Sequence, residues 1–82
     1  MSIYVLDRTR PTLDGDLLGR SIYVRQLSLA DFARAAGISE PTLRRALKSQ
    51  PINLRSAQRI ATAIGSTEPD PELERLVLGA TA

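Results

Sequence analysis

The sequence predicts a mainly α domain of four or five short helices, preceded by an N-terminal arm that reads as either strand or helix. Three observations carry that prediction. Apolar residues recur at helical spacing from Leu29 onward, where Leu29, Phe32, Ala33 and Ala36 fall at i, i+3, i+4 and i+7. Cap and stop residues punctuate the chain, with Ser28, Ser39, Asn53 and Asp70 as starts and Gly37, Gly65 and Gly79 as ends. The chain has 82 residues, 43% hydrophobic and 24% charged, which matches soluble globular composition and is too short for two cores. Residues 1–82 therefore read as one domain: an arm over 1–27, a helical core over 28–65 and an acidic C-terminal helix over 66–82.

The arm admits two readings. Ser2-Ile3-Tyr4-Val5 recurs as Ser21-Ile22-Tyr23-Val24, both rich in strand-forming types, with the turn-prone Arg10-Pro11-Thr12-Leu13-Asp14-Gly15-Asp16 between them. Two short strands are the preferred reading. The alternative is a helix from about Asp14 to Gln26 with Leu17, Leu18, Ile22 and Arg25 in register, against which Gly15 and Gly19 count about 1 kcal/mol each.

The helices follow in order. Ser28 caps the first helix of the core, Asp31 is placed to return a bond as in a capping box, and Gly37 supplies a left-handed end. Only Ile38 separates that glycine from Ser39, which caps a second helix running to about Ser49 with Leu43, Ala46 and Leu47 inward. Pro41 falls in its first turn, where a missing N–H costs nothing, and Pro51 marks the break beyond it. Asn53 caps a third helix with Leu54, Ala57, Ile60, Ala61 and Ile64 on one side and Gly65 as its end. A last helix runs from Pro71 to Leu78, capped by Asp70, with Leu73, Leu76 and Val77 as its apolar face.

Composition closes most routes to chemistry. The chain has no cysteine and no histidine, which removes disulfides, thiolate metal sites, the commonest remaining zinc ligand and the commonest general base. Glu72 and Glu74 stand two apart on a helix and do not face each other as a catalytic pair would. The expectation is a protein that is not an enzyme and takes no cofactor, metal or small-molecule ligand. The N-terminus carries no basic leader and its apolar stretch is too short for a signal peptide or a span, so a cytoplasmic protein with no membrane partner is expected.

Charge is uneven along the chain. The net charge is +2, but residues 21–65 hold seven basic and two acidic side chains, a balance of +5, while residues 66–82 hold one basic and four acidic. A basic body with an acidic tail directs attention to an anionic partner.

Two helices joined at a glycine by about three residues form a helix-turn-helix arrangement. Over Leu29 to Lys48, with Phe32, Ala33, Ala36, Gly37, Ile38, Leu43 and Ala46 at the characteristic positions, the sequence resembles the phage repressor and Cro type of DNA-binding domain, the XRE-like family. The stretch Arg59-Ile60-Ala61-Thr62-Ala63-Ile64-Gly65 looks like the family's fourth helix, so about half of the chain is covered. The resemblance implies a lambda-repressor-like fold. It also implies that Ser39, Glu40, Thr42 and Arg44 read bases, Arg44 through a bidentate contact to guanine and Glu40 by accepting from a cytosine amino group. Arg45, Lys48, Ser28 and Arg55 are then phosphate contacts. Three departures stand out: Leu29 occupies a position where many members have glutamine, Pro41 one where members place a small polar reader, and little room is left for a long first helix.

The expected function is sequence-specific transcriptional regulation, as a repressor or Cro-like switch of the kind found in phage and mobile elements, nucleoid-associated when bound to double-stranded DNA. A homodimer on a two-fold operator is expected, because one recognition helix reads few base pairs. Its contact is assigned to Ile3, Tyr4, Val5 and Leu6 or to Leu73, Leu76 and Val77. The alternatives are an excisionase-like architectural DNA-binding protein and a protein-interaction module such as an antitoxin or anti-activator.

Overall fold

A computed structural model of the chain describes residues 4–5 and 11–77. The described residues are mainly helical, in the order β1 (Tyr4–Val5), β2 (Thr12–Leu13), α1 (Gly15–Tyr23), α2 (Leu29–Ala36), α3 (Glu40–Leu47), α4 (Leu54–Ser66) and α5 (Pro71–Val77). No helix among them is long and apolar enough to cross a membrane.

The arm differs from the preferred strand reading. Tyr4–Val5 is a strand, but its antiparallel partner is Thr12–Leu13, with Tyr4 opposite Leu13 and Val5 opposite Thr12. Residues 21–23 belong to α1, which Asp14 caps by accepting the Leu17 N–H at 3.1 Å. The two glycines weaken this helix by about 1 kcal/mol each. Full burial of Leu18 and near-full burial of Ile22, i and i+4 on one face, return about 1.5–3 kcal/mol each, so packing outweighs propensity. Gly15 also stands at the first helical position and against another chain segment: an added Cβ would lie 2.1 Å from the Leu47 carbonyl oxygen.

Ser28, Ser39, Asn53 and Asp70 all cap as their sequence positions predict. Ser28 Oγ accepts from Asp31 N at 3.1 Å, Ser39 Oγ from Thr42 N at 3.3 Å, and Asn53 Oδ1 from Ser56 N at 2.7 Å. Asp70 Oδ1 accepts from Glu72 N at 2.9 Å and Leu73 N at 3.1 Å. Asp31, expected to complete a capping box, instead pairs with Arg34 at 3.2 Å.

The helix ends depart from the sequence reading at two places. α3 stops at Leu47, two residues early, because Ser49 takes a left-handed φ of 56° and Gln50 N donates back to Arg45 O at 3.0 Å. α4 runs through Gly65 to Ser66, and its last carbonyls are met by side chains: Thr67 Oγ1 donates to Ala63 O at 2.7 Å and Arg25 Nη2 to Ile64 O at 2.9 Å. Leu78 and Gly79, read as the end of the last helix and its stop, lie outside the described residues.

One core joins these elements. Leu13, Leu18, Ile22, Phe32, Ala33, Ala36, Leu43, Ala46, Ile52, Ala57, Ile60 and Ala63 form it, with Leu29, Ile38, Leu47 and Ile64 packed half-buried against it. Leu54, expected to face inward, is exposed at the start of α4, and Leu76 is 80% exposed. No buried side-chain nitrogen or oxygen among the described residues lacks a hydrogen-bond partner.

Candidate nucleic-acid interface

The α2–α3 pair is built from local chemistry first. Gly37 adopts φ 73°, Gly37 N donates to Arg34 O at 3.2 Å and Ile38 N to Ala33 O at 3.0 Å, which together make a Schellman ending to α2. The chain leaves that ending through Ile38 and enters α3 two residues later, past the cap Ser39. Leu43 and Ala46 are fully buried, so the inner face of α3 is pinned to the core and its orientation is set by packing.

A second device fixes the turn from outside. Arg59 Nη1 on α4 donates to the Gly37 carbonyl at 2.9 Å, across 22 residues of sequence. At the far end of α3, Ser49 Oγ accepts the Gly15 N–H at 3.0 Å and Arg45 Nη2 donates to Pro51 O at 3.3 Å. α3 is thus held at both ends by groups outside itself.

The outer face of α3 carries the residues assigned to DNA. Ser39, Glu40, Arg44, Arg45 and Lys48 are exposed, while Thr42 is half-buried. Four of them are engaged in pairs within the helix: the Ser39 hydroxyl donates to Thr42 Oγ1 at 2.9 Å, and Arg44 Nη2 lies 3.5 Å from Glu40 Oε1. Pro41 is accommodated in the first turn, exposed and without distortion of the cap.

The expected phosphate contacts lie on α3 or at the starts of α2 and α4. Ser28 is exposed but occupied as the cap of α2, and Arg55 is exposed in the first turn of α4, next to the α3–α4 connection. Arg45, Lys48 and Arg55 make no ion pair among the described residues. Arg34, by contrast, is neutralised by Asp31.

Two arginines have structural placements that sequence reasoning missed. Arg59 clamps the turn through the Gly37 carbonyl. Arg25 links α1 to the end of α4: Nε donates to Thr67 Oγ1 at 2.8 Å, Nη1 to Ser21 O at 2.8 Å and Nη2 to Ile64 O at 2.9 Å. Desolvation lowers the Arg25 pKa, and the nearby Glu74 carboxylate opposes that shift. No local pattern announces the Arg59 clamp or the Arg25 bonds to Ile64 and Thr67, since those acceptors are backbone or hydroxyl groups far along the chain.

The two expected self-contact segments differ in what is visible. Ile3 and Leu6, with the side chains of Tyr4 and Val5, lie outside the described residues. On α5, Leu73 and Val77 are half-buried and Leu76 projects outward. Among the described residues no group of three acidic, histidine or cysteine side chains could hold a metal ion. Comparison with protein-family models, with curated proteins and with solved structures gives no match to this chain.

Proposed function

We propose that the chain is a sequence-specific DNA-binding transcriptional regulator. The α2–α3 pair acts as the helix-turn-helix of a lambda-repressor-like domain, and a homodimer acts as a repressor or Cro-like switch on a two-fold operator. The observation that carries this reading is α3 itself. It is an eight-residue helix with Leu43 and Ala46 fully buried and with exposed Ser39, Glu40, Arg44, Arg45 and Lys48 on its free side. A helix presented in this way can enter the major groove N-terminus first, with its early residues on base edges and its cations on phosphates. The charge balance of +5 over residues 21–65 supplies the electrostatic attraction that such docking needs.

The roles follow from reach and chemistry. Arg44 offers a guanidinium fork for guanine O6 and N7, Glu40 a carboxylate for a cytosine amino group, and Ser39 and Thr42 hydroxyls for either base type. Arg45, Lys48 and Arg55 are the cations this reading assigns to phosphates flanking the groove, and the Ser28 end of α2 offers backbone N–H groups to one more. Catalysis, cofactors and small ligands have no part in this reading.

Selection of bound sequences from a random duplex pool at near-physiological salt, with the mass of the complex, tests it. The expected result is an inverted repeat bound by two chains, with half-sites about 34 Å apart and affinity that falls steeply with salt. Arg44→Ala is expected to lose about 1–3 kcal/mol of discrimination at one position while remaining folded. A folded wild-type protein that enriches no sequence overturns the proposal and redirects the search to a protein partner of the same helices.

A further inference from the structure

From Phe32 to Thr67, Glu40 is the sole acidic residue, in company with Arg34, Arg44, Arg45, Lys48, Arg55 and Arg59. It stands at the exposed start of the helix assigned above to the groove, where a carboxylate repels phosphates and weakens sequence-independent binding. Its partner in the free protein is Arg44, at 3.5 Å, with side-chain exposures of 45% for Glu40 and 61% for Arg44. A carboxylate at the first position of α3 favours the helix N-terminus, and an ion pair this exposed adds little more to stability.

We propose that Glu40 is a specificity residue that works as a unit with Arg44. It restricts the DNA reading above to a cytosine and a guanine no more than one base-pair step apart. This inference rests on that reading. Glu40 beside Arg44 cancels the net charge that this end of α3 offers a phosphate, and an Arg44 engaged on a phosphate leaves the carboxylate facing other anions. A cytosine and guanine edge satisfies both partners at once: guanine O6 and N7 accept from the guanidinium, and the cytosine N4 amino group donates to the carboxylate. Residues one turn apart on a helix with touching charged ends reach adjacent base edges, so the two contacts fit one base pair or two neighbours. Thymine O4 and guanine O6 aim acceptors at the carboxylate, and adenine sets its N7 acceptor beside its N6 amino donor, which penalises all three against cytosine. Glu40 therefore discriminates by repulsion as much as by attraction.

The test compares the wild-type chain with Glu40→Gln and Glu40→Ala in the same random-duplex selection and in salt titrations on a scrambled duplex. The wild type is expected to select a site containing C and G within one step, and both variants to lose ~10-fold of preference at the cytosine position. Binding of the variants to the scrambled duplex is expected to tighten, with a salt slope steeper by about one as Arg44 is freed for a phosphate. A purely helix-stabilising role moves neither the base preference nor the salt slope. If the wild type selects a motif and the variants select the same motif with unchanged slopes, the specificity role of Glu40 is overturned and DNA reading stands. If the wild type selects nothing, DNA reading fails and this inference fails with it.

Discussion

At the scale of single residues, the glycines show how one residue type takes opposite roles within this chain. Gly15 lies in the space between α1 and α3, where a Cβ would stand 2.1 Å from Leu47 O and 2.9 Å from Ser49 Oγ. The first neighbour is backbone and cannot swing away, so Gly15→Ala must push α1 off the C-terminal end of α3. Such overpacking costs about 1–3 kcal/mol. Gly65 is also helical, but a Cβ there meets nothing within 4 Å. Gly65→Ala is therefore expected to stabilise the fold by about 0.5–1 kcal/mol, through helix propensity and a less flexible unfolded chain. Urea unfolding of the two variants checks both signs. A neutral Gly15→Ala would mean that α1 does not approach α3 this closely, and a destabilising Gly65→Ala that α4 ends before residue 65.

At the scale of elements, the boundary between what is legible in the sequence and what is not follows the range of the interaction. The starts of α2, α3, α4 and α5 are legible because each cap is a side chain bonding a backbone N–H two or three residues on. The end of α2 is legible because glycine occupies its left-handed position, whereas Gln26 and Ser49 take φ values of 57° and 56° beyond α1 and α3 with no glycine to announce them. The assignment of the outer face of α3 to DNA comes from the resemblance alone and belongs to the proposal above, whereas the face itself is legible from periodicity. The clamps from Arg59 and Arg25 are not, since they join elements 22 to 42 residues apart through backbone and hydroxyl acceptors. Arg25 has a testable consequence for the elements it joins. Arg25→Met keeps the aliphatic stem and removes three hydrogen bonds to Ser21, Ile64 and Thr67, leaving the last turn of α4 short of a donor. A loss on the order of 1–2 kcal/mol is expected, with faster amide exchange at Asp70, whose N–H donates to Val24 O at 2.7 Å. Because Arg25 touches neither α2 nor α3 through these bonds, DNA affinity measured well below the unfolding midpoint should hold. Exchange at Asp70 that matches the wild type would show that the C-terminal segment is held by other contacts.

At the scale of the whole molecule, the acidic helix α5 and the cation Arg55 stand at opposite ends of α4. α4 has 13 residues and so spans roughly 20 Å, with Arg55 at its start and the Thr67–Asp70 connection to the acidic α5 at its end. That distance exceeds two screening lengths of about 8 Å at physiological salt, so the carboxylates of α5 do little to offset attraction at the other end of α4. The same distal helix carries Leu76, the most exposed large hydrophobic residue among those described, at 80%, between the half-buried Leu73 and Val77. A self-complementary contact there would hide Leu76 against its counterpart in the partner and leave α3 open on both chains. Leu76→Lys is accordingly expected to retain helical content, to sediment as a monomer, and to keep affinity for one half-site while losing most of its affinity for the two-fold operator. Should Leu76→Lys remain a dimer, the contact passes to the N-terminal residues Ile3, Tyr4, Val5 and Leu6, and removal of residues 2–9 decides it, with helical content and unfolding followed because β1 goes with them. That truncation has to stop before Pro11, whose side chain is buried and whose carbonyl accepts the Ile52 N–H at 3.1 Å, since a longer one would unseat the α3–α4 connection and confuse loss of the dimer with loss of the fold.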